Sequence, residues 1–269
     1  NASEKTNALI KLSEFYQYNN LKMGLSYANE AIQLALIEDD PKLIGHAYHN
    51  LGEVNFLAGE YELAARNFES SLKEFKLCKY QIGIGEAYEG IGKIEYKIGE
   101  NDASLKNFSE ALTIFEKENY KNALPGLYIN IGLLYDDARN YKQALDFYNK
   151  ALVIAQEIDD YAAEASCYTN IGSIYTEQKV FKEAIVSLEK SIVLKDKIGN
   201  KKGKAVSLNN LGAVYYQMND MERALQYFQQ ASDIYIEIND LKGIFPSCNN
   251  IGSIYLEQKN FRKAIPYFN

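Results

Sequence analysis

The sequence predicts an all-α repeat solenoid made of antiparallel helix pairs. The first observation is a register. Close copies of Tyr168-Thr169-Asn170-Ile171-Gly172-Ser173-Ile174-Tyr175 recur, and their glycines, Gly52, Gly92, Gly132, Gly172, Gly212 and Gly252, stand forty residues apart. The second is that apolar residues inside each unit repeat with helical spacing. The third is the lack of strand-like alternation along the chain. Such a unit cannot bury its apolar face alone and must stack on its neighbours. The expectation is one array without a domain boundary, in units of approximately 1–40, 41–80, 81–120, 121–160, 161–200, 201–240 and 241–269, the last truncated.

The first unit diverges, with Leu12 in the glycine register, but Ala31-Ile32 match Ala111-Leu112 and Ala151-Leu152, so the register reaches the start of the chain. In the first helix of a unit, Ala47, Tyr48, Leu51 and Val54, with their equivalents, form one apolar arc. In the second, Ala64, Phe68, Ser71 and Leu72 form an i, i+4, i+7, i+8 stripe, repeated as Ala144, Tyr148, Ala151, Leu152 and as Ala224, Phe228, Ala231. Short breakers separate the helices, among them Ala58-Gly59-Glu60, Ile98-Gly99-Glu100, Arg139-Asn140 and Asp159-Asp160, and Pro41 suits a first helical turn. The predicted helices are roughly 5–18, 21–37, 41–58, 61–77, 81–98, 101–118, 121–138, 141–158, 161–178, 181–198, 201–218, 221–238, 241–258 and a last one from 261. Gly83, Gly85, Gly90 and Gly92 crowd the helix over 81–98. At about 0.8–1 kcal/mol per interior glycine, it is expected to be the weakest of the array. The chain stops seventeen residues past Gly252, short of a full unit, and the array is expected to continue in a longer protein.

With 47% apolar and 24% charged residues and a formal net charge of −7, the composition is that of an ordinary soluble protein. The acidic balance argues against nucleic acid and against anionic membranes as partners. Neither a run of about 20 apolar residues nor a charged-then-apolar leader is present, so the fragment as given reads as soluble; a cytoplasmic location is the expectation, with the periplasm as the other compartment the sequence leaves open. Cys78, Cys167 and Cys248 are odd in number and lack CxxC spacing, which predicts free buried thiols and neither a disulfide framework nor a zinc site.

The repeated residues resemble the tetratricopeptide repeat, whose signature runs W-x2-L-G-x2-Y and then A-x3-F. Ile131-Gly132-x2-Tyr135, Ile171-Gly172-x2-Tyr175, Leu211-Gly212-x2-Tyr215 and Ile251-Gly252-x2-Tyr255 fit the first half, with Tyr48, Tyr88, Tyr128 and Tyr168 standing where Trp would be. Ala64-x3-Phe68, Ala144-x3-Tyr148, Ala224-x3-Phe228 and Ala264-x3-Phe268 fit the second. The period is forty and not the usual thirty-four, and the signature Pro is absent, Lys76, Glu116, Gln156 and Asp196 holding its register. The longer unit is similar to repeats of the LGN/Pins and kinesin-light-chain proteins and of bacterial sensor and regulator proteins. HEAT and armadillo repeats share the period but lack the paired motif. The resemblance implies a right-handed superhelix in which glycine on the first helix faces alanine on the second.

Asparagine precedes the Leu/Ile-Gly pair at Asn50, Asn130, Asn170, Asn210 and Asn250, with Gly90 as the exception. Asn is a poor mid-helix residue because its amide competes for backbone groups, so five in one register call for a reason. By resemblance to tetratricopeptide superhelices, they line a concave groove and hold the backbone of an extended peptide. One amide offers both donor and acceptor and can pair with any peptide unit. The expected peptide-binding set adds His49, Thr169, Ser173, Glu177, Asn209, Tyr216, Asn249 and Ser253. The competing reading is that each Asn only bridges neighbouring helices.

Around this row Glu53, Glu86, Glu89, Asp136, Asp137, Glu177 and Glu257 outnumber Lys93 and Lys97, so a neutral or basic partner is expected. His46, His49 and Glu53 share a helix face, but one helix with no supporting cluster does not make a metal site, and no cofactor is expected. Gly83-Ile84-Gly85 lacks the Gly-Lys-Ser/Thr of a phosphate loop. Lys195, Lys197, Lys201, Lys202 and Lys204 read as a solvated turn. With no nucleophile and base in a recognisable pairing, the chain reads as non-enzymatic. The leading expectation is a protein- or peptide-binding module of a larger signalling or scaffold protein. One alternative is the ligand-sensing domain of a bacterial transcription regulator or sensor kinase. Another is a scaffold that self-associates through its end helices.

Overall fold

The computed structural model describes residues 2–268, and its helices gather into two compact units, residues 1–134 and 135–269. The first unit holds α1 (Ala2–Tyr16), α2 (Leu21–Glu38), α3 (Pro41–Ala58), α4 (Tyr61–Leu77), α5 (Gln81–Ile98), α6 (Asn101–Lys117) and most of α7 (Leu124–Asp137). The second holds α8 (Tyr141–Glu157), α9 (Tyr161–Glu177), α10 (Phe181–Lys197), α11 (Lys201–Gln217), α12 (Met221–Glu237), α13 (Leu241–Glu257), α14 (Phe261–Ala264) and a 3-10 turn, Ile265–Tyr267. Among the described residues there is no strand, and no helix is long and apolar enough to cross a membrane.

The turns recur every twenty residues, twice per repeat. A residue in left-handed conformation ends each helix from Asp39 through Gly59, Lys79, Gly99, Asn119, Arg139, Asp159, Lys179, Gly199, Asn219 and Asn239 to Lys259. From Glu60 onward, the amide of the next residue reaches back to a carbonyl five residues earlier, as Val180 N–H does to Tyr175 O at 2.8 Å, which closes the orphaned last turn. Except at Tyr120, where a turn over 121–123 intervenes, that same residue then begins the following helix. Asp160 Oδ1 accepts from Ala162 N and Ala163 N at 3.1 and 3.0 Å, and Asp40 accepts from Lys42 N at 2.9 Å. A single left-handed residue therefore reverses the chain, and the helices fall into antiparallel pairs.

Three helices depart from the sequence expectation by more than a residue, the first of them α1, which runs Ala2–Tyr16 and not 5–18. α7 begins at Leu124 and not at 121, which puts Pro125 in second position, where its missing N–H costs no helical bond; α13, by contrast, accommodates Pro246 in its interior. The last helix gives way to a 3-10 turn at Ile265, where Pro266 follows.

Packing also corrects the expected helix contact. Gly52, Gly92, Gly212 and Gly252 have the phenylalanine of the A-x3-F pair, and not its alanine, as their nearest neighbour, whereas Gly172 meets Leu188 and the Ala184 carbonyl. A Cβ at Gly52 would stand 2.8 Å from the Phe68 ring, at Gly92 2.7 Å from Phe108 and at Gly212 2.8 Å from Phe228. In the first unit each ring meets two glycines: Phe68 packs by its Cδ1–Cε1 edge against Gly52 of α3 and Gly90 of α5, and Phe75 is held at opposite edges by Gly45 and Gly83 of the same two helices. All three helices use residues seven apart, two turns along each axis. The crowded glycines of α5 are therefore sockets for fully buried phenylalanines. In the second unit the motif tyrosine stacks on the second helix, Tyr135 on Phe147 at 5.5 Å and Tyr215 on Tyr227 at 5.4 Å between centroids.

First helices also touch one another, α1 with α3 and α3 with α5, then α9 with α11 and α11 with α13, whereas among the described residues no two second helices do. Within each unit the first-helix layer is thus the inner side of the curve.

Candidate functional site

In the second unit the inner layer carries Asn170 on α9, Asn210 on α11 and Asn250 on α13, all half-exposed. Asn210 Nδ2 donates to Ser173 Oγ at 3.4 Å, and Asn250 Nδ2 donates to Asn209 Oδ1 at 3.3 Å. Both bonds are long beside the usual 2.9–3.0 Å, so these amides are held loosely and keep hydrogen-bonding capacity for another partner. Asn170 makes no side-chain hydrogen bond among the described residues. Asn249 and Ser253 are exposed, and Asn209 is half-buried and accepts from Ser247 Oγ at 3.4 Å. The Tyr216 hydroxyl donates to Glu257 on the neighbouring first helix.

Two adjoining recesses share Ser173 and Glu177. One, of about 360 Å³, is lined by Asp136, Asp137, Arg139 and Tyr141; the other, by Thr176, Asn210, Ala213 and Gln217. Burial, with Asp137 and Glu177 nearby, pushes the Asp136 carboxyl above its ordinary range. A cation arriving there relieves that repulsion.

In the first unit Asn130 is half-exposed and donates to Glu89 Oε1 at 3.4 Å, while Asn50 is buried. His49 is half-buried, packs edge-on against Phe68 at 5.3 Å and hydrogen-bonds the backbone of Glu86. Glu53 and Lys93 form an ion pair at 2.7 Å, so neither is available to a ligand in the way the sequence suggested. Among the described residues no group of three His, Cys, Asp or Glu is arranged to hold a metal ion.

Thr169 departs from the expected groove position: it is buried, and its hydroxyl donates to Ala165 O at 2.9 Å. It belongs to a polar core that sequence reasoning missed. Lys195, expected in a solvated turn, is 6% exposed, and its ammonium donates to Thr169 Oγ1 at 2.7 Å and Ser207 Oγ at 2.9 Å. Ser191 Oγ closes the cluster by bonding Ala165 O at 2.8 Å and lying 3.0 Å from Ser207 Oγ. Burial without a carboxylate partner lowers the Lys195 pKa to about 8. The register was the available signal, since Lys195 stands where other units have Phe75, Phe115, Ala155 and Tyr235. Of the cysteines expected to be buried, Cys167 is, but Cys78 is exposed at the end of α4.

Among solved structures, the chain is similar to the signal-transduction ATPase with numerous domains and a tetratricopeptide repeat sensor from Pyrococcus horikoshii, with a TM-score of 0.77, 18% identity, and coverage of 97% of this chain and 40% of that one. It is similar to a Rap protein complexed with competence and sporulation factor, with a TM-score of 0.72, 15% identity, and coverage of 99% and 75%. It is also similar to NprR in complex with its cognate peptide NprX, with a TM-score of 0.68, 18% identity, and coverage of 99% and 75%. At such identities the likeness speaks for the fold. No curated protein matches by sequence. The tetratricopeptide repeat profile matches residues 83–157, 124–194, 165–237 and 203–269, more than half of the sequence, and the chain belongs to the tetratricopeptide repeat family.

Proposed function

We infer that the chain is a non-catalytic binding module that holds an extended protein or peptide segment against its first-helix layer. The observation that carries this is the row Asn170, Asn210 and Asn250 on three successive first helices, half-exposed and at most loosely bonded. An amide row reads peptide backbone whatever the side chains, so conformation governs affinity more than any one anchor. Asp136, Asp137 and Glu177 beside Ser173 favour a neutral or basic segment. The complexes of Rap with competence and sporulation factor and of NprR with NprX support a peptide ligand by likeness of fold. The same likeness, with the sensor of the Pyrococcus horikoshii protein, supports a sensing role for the bound segment. The buried Cys167 thiol, pushed up to about 12 by burial, is an inert core group and no candidate nucleophile.

The test is a selection of random displayed peptides on the immobilised chain. The selected sequences should be neutral or basic, and binding should weaken with salt as exposed charge pairs are screened over about 8–10 Å. Glu177→Lys should reduce that salt dependence. A uniformly acidic selection refutes the reading.

A further inference from the structure

The polar core around Lys195 ties together the two first helices that carry Asn170 and Asn210. From α10 the ammonium reaches Thr169 Oγ1 of α9 and Ser207 Oγ of α11, both within 2.9 Å. Ser191, one turn earlier on α10, bonds Ala165 O of α9 at 2.8 Å and stands 3.0 Å from Ser207 Oγ. Thr169 directly precedes Asn170 and Ser207 lies one turn before Asn210, so both anchors sit within a turn of the amides.

Direct packing does little to set the separation of these two helices. α9 and α11 touch only sparsely, far less than α1 and α3 or α3 and α5 do, whereas α10 packs extensively on both. The geometry of the pair is therefore passed through α10. In other units the Lys195 register holds Phe75, Phe115, Ala155 and Tyr235. Phe75 and Phe115 press on Gly45 and Gly85, whose register here holds Ala165, so a slimmer chain replaces the ring. Apolar contacts are non-directional and tolerate sliding, while short hydrogen bonds fix distance and angle together. The cluster also costs stability, because a buried ammonium with no carboxylate to meet it is unfavourable, and apolar side chains of similar volume are often more stable. What a satisfied buried network supplies instead is one defined arrangement.

We propose that Lys195 is a positioning residue, which fixes the separation of Asn170 and Asn210 by tying Thr169 of α9 to Ser207 of α11. Its role in recognition rests on the peptide-binding reading above; its role in spacing does not. A segment held by both amides reads their separation, so setting it beforehand removes an ordering cost from binding. The pair Asn210 and Asn250 lies outside this control, because α12 carries Tyr235 in the register.

The experiment compares the parent with the Lys195→Met/Thr169→Val/Ser207→Ala variant, and with Lys195→Met alone should the triple variant not fold. Spin labels at Glu177→Cys and Gln217→Cys, exposed and in one register on α9 and α11, report the spacing without peptide by pulsed electron paramagnetic resonance; Cys78 and Cys248 are replaced by Ser in both proteins. The distance distribution should be narrow in the parent and broader in the variant, although the variant should unfold at equal or higher urea at pH 7. A peptide selected on the parent should bind the variant about three- to tenfold more weakly. That loss should vanish when Asn170 is already alanine, since no separation is then read, and persist when Asn250 is. Damage to the core would instead lower stability and weaken binding in every background. Equal distance widths in the two proteins overturn the proposal; if the peptide still needs Asn170 and Asn210, the peptide reading stands without it. Broadening with an affinity loss that survives Asn170→Ala overturns the role in recognition. Broadening with a peptide indifferent to Asn170→Ala and Asn210→Ala upholds the spacing role and removes the peptide reading.

Discussion

Replacing Gly90 by alanine sets two effects of opposite sign against each other. In a helix interior the change should stabilise by about 1 kcal/mol through propensity. The added Cβ, however, would stand 2.6 Å from Cδ1 and Cε1 of Phe68 and 2.8 Å from Cγ, against an optimal carbon separation of about 3.5–4.0 Å. The ring has to retreat by about 1 Å, yet its Cδ1–Cε1 edge is also packed against Gly52, where a Cβ would be 2.8 Å away. Phe68 is fully buried, so no rotation into solvent relieves the strain. Overpacking of this kind costs about 1–3 kcal/mol, and a net destabilisation of about 0–2 kcal/mol is expected once propensity is offset. Gly126→Ala in α7 is the control: nothing lies within 4 Å of its Cβ position, and a gain of about 0.5–1 kcal/mol is expected. In a Phe68→Leu background, which copies the pairing of Leu188 with Gly172, the penalty at Gly90 should shrink. Urea unfolding followed by circular dichroism measures all of these proteins. If Gly90→Ala stabilised as much as Gly126→Ala, the clasp of Phe68 by two glycines would not govern packing here.

Lys179→Gly should stabilise by about 0.5–1 kcal/mol in the same assay, since Lys179 holds φ 59°, a left-handed conformation that glycine adopts without strain. The Lys195 pKa is depressed in the folded state, so between about pH 8 and 10.5 the unfolded chain binds the extra proton and stability rises with pH, by up to about 3 kcal/mol. Lys195→Met should be more stable than the parent below pH 8 and lose that rise; a parallel pH profile for the two proteins contradicts the buried-ammonium account. Amide exchange should be slower in α5 than in α13, because the α5 glycines house buried rings while α13 carries an interior Pro246 and exposed Leu241 and Phe245. Faster exchange in α5 would restore the expectation drawn from its glycine content alone.

The forty-residue register made the helix pairs and most of their limits legible, because turn, cap and socket positions recur with it. Sequence reasoning slipped near two prolines: α7 starts late, with Pro125 in its second position, and the last helix gives way to a 3-10 turn beside Pro266. Periodicity identifies a face but not what meets it, so Gly52 was paired with an alanine when its true neighbour is the Phe68 ring. The asparagine row was visible as a register, but the placement of individual members was not. Thr169 and Asn170 are adjacent in sequence and about 100° apart on the helix, and the first is locked into a buried hydroxyl cluster while the second is half-exposed. Lys195 was misread because five lysines close in sequence suggest solvent, whereas its register position is a core position in four other units. The Lys195 cluster joins residues from three different helices and requires coordinates to see.

The central claim is that the inner-layer asparagines hold a peptide backbone. The most direct measurement is the affinity of one selected peptide for the parent chain and for the Asn170→Ala/Asn210→Ala double variant, by calorimetry under identical salt. Loss of the two neutral hydrogen-bonding side chains should weaken binding by about 1–3 kcal/mol, while the unfolding midpoint changes little because both residues are half-exposed. Unchanged affinity in a folded double variant contradicts the claim and moves the recognition surface off the inner layer.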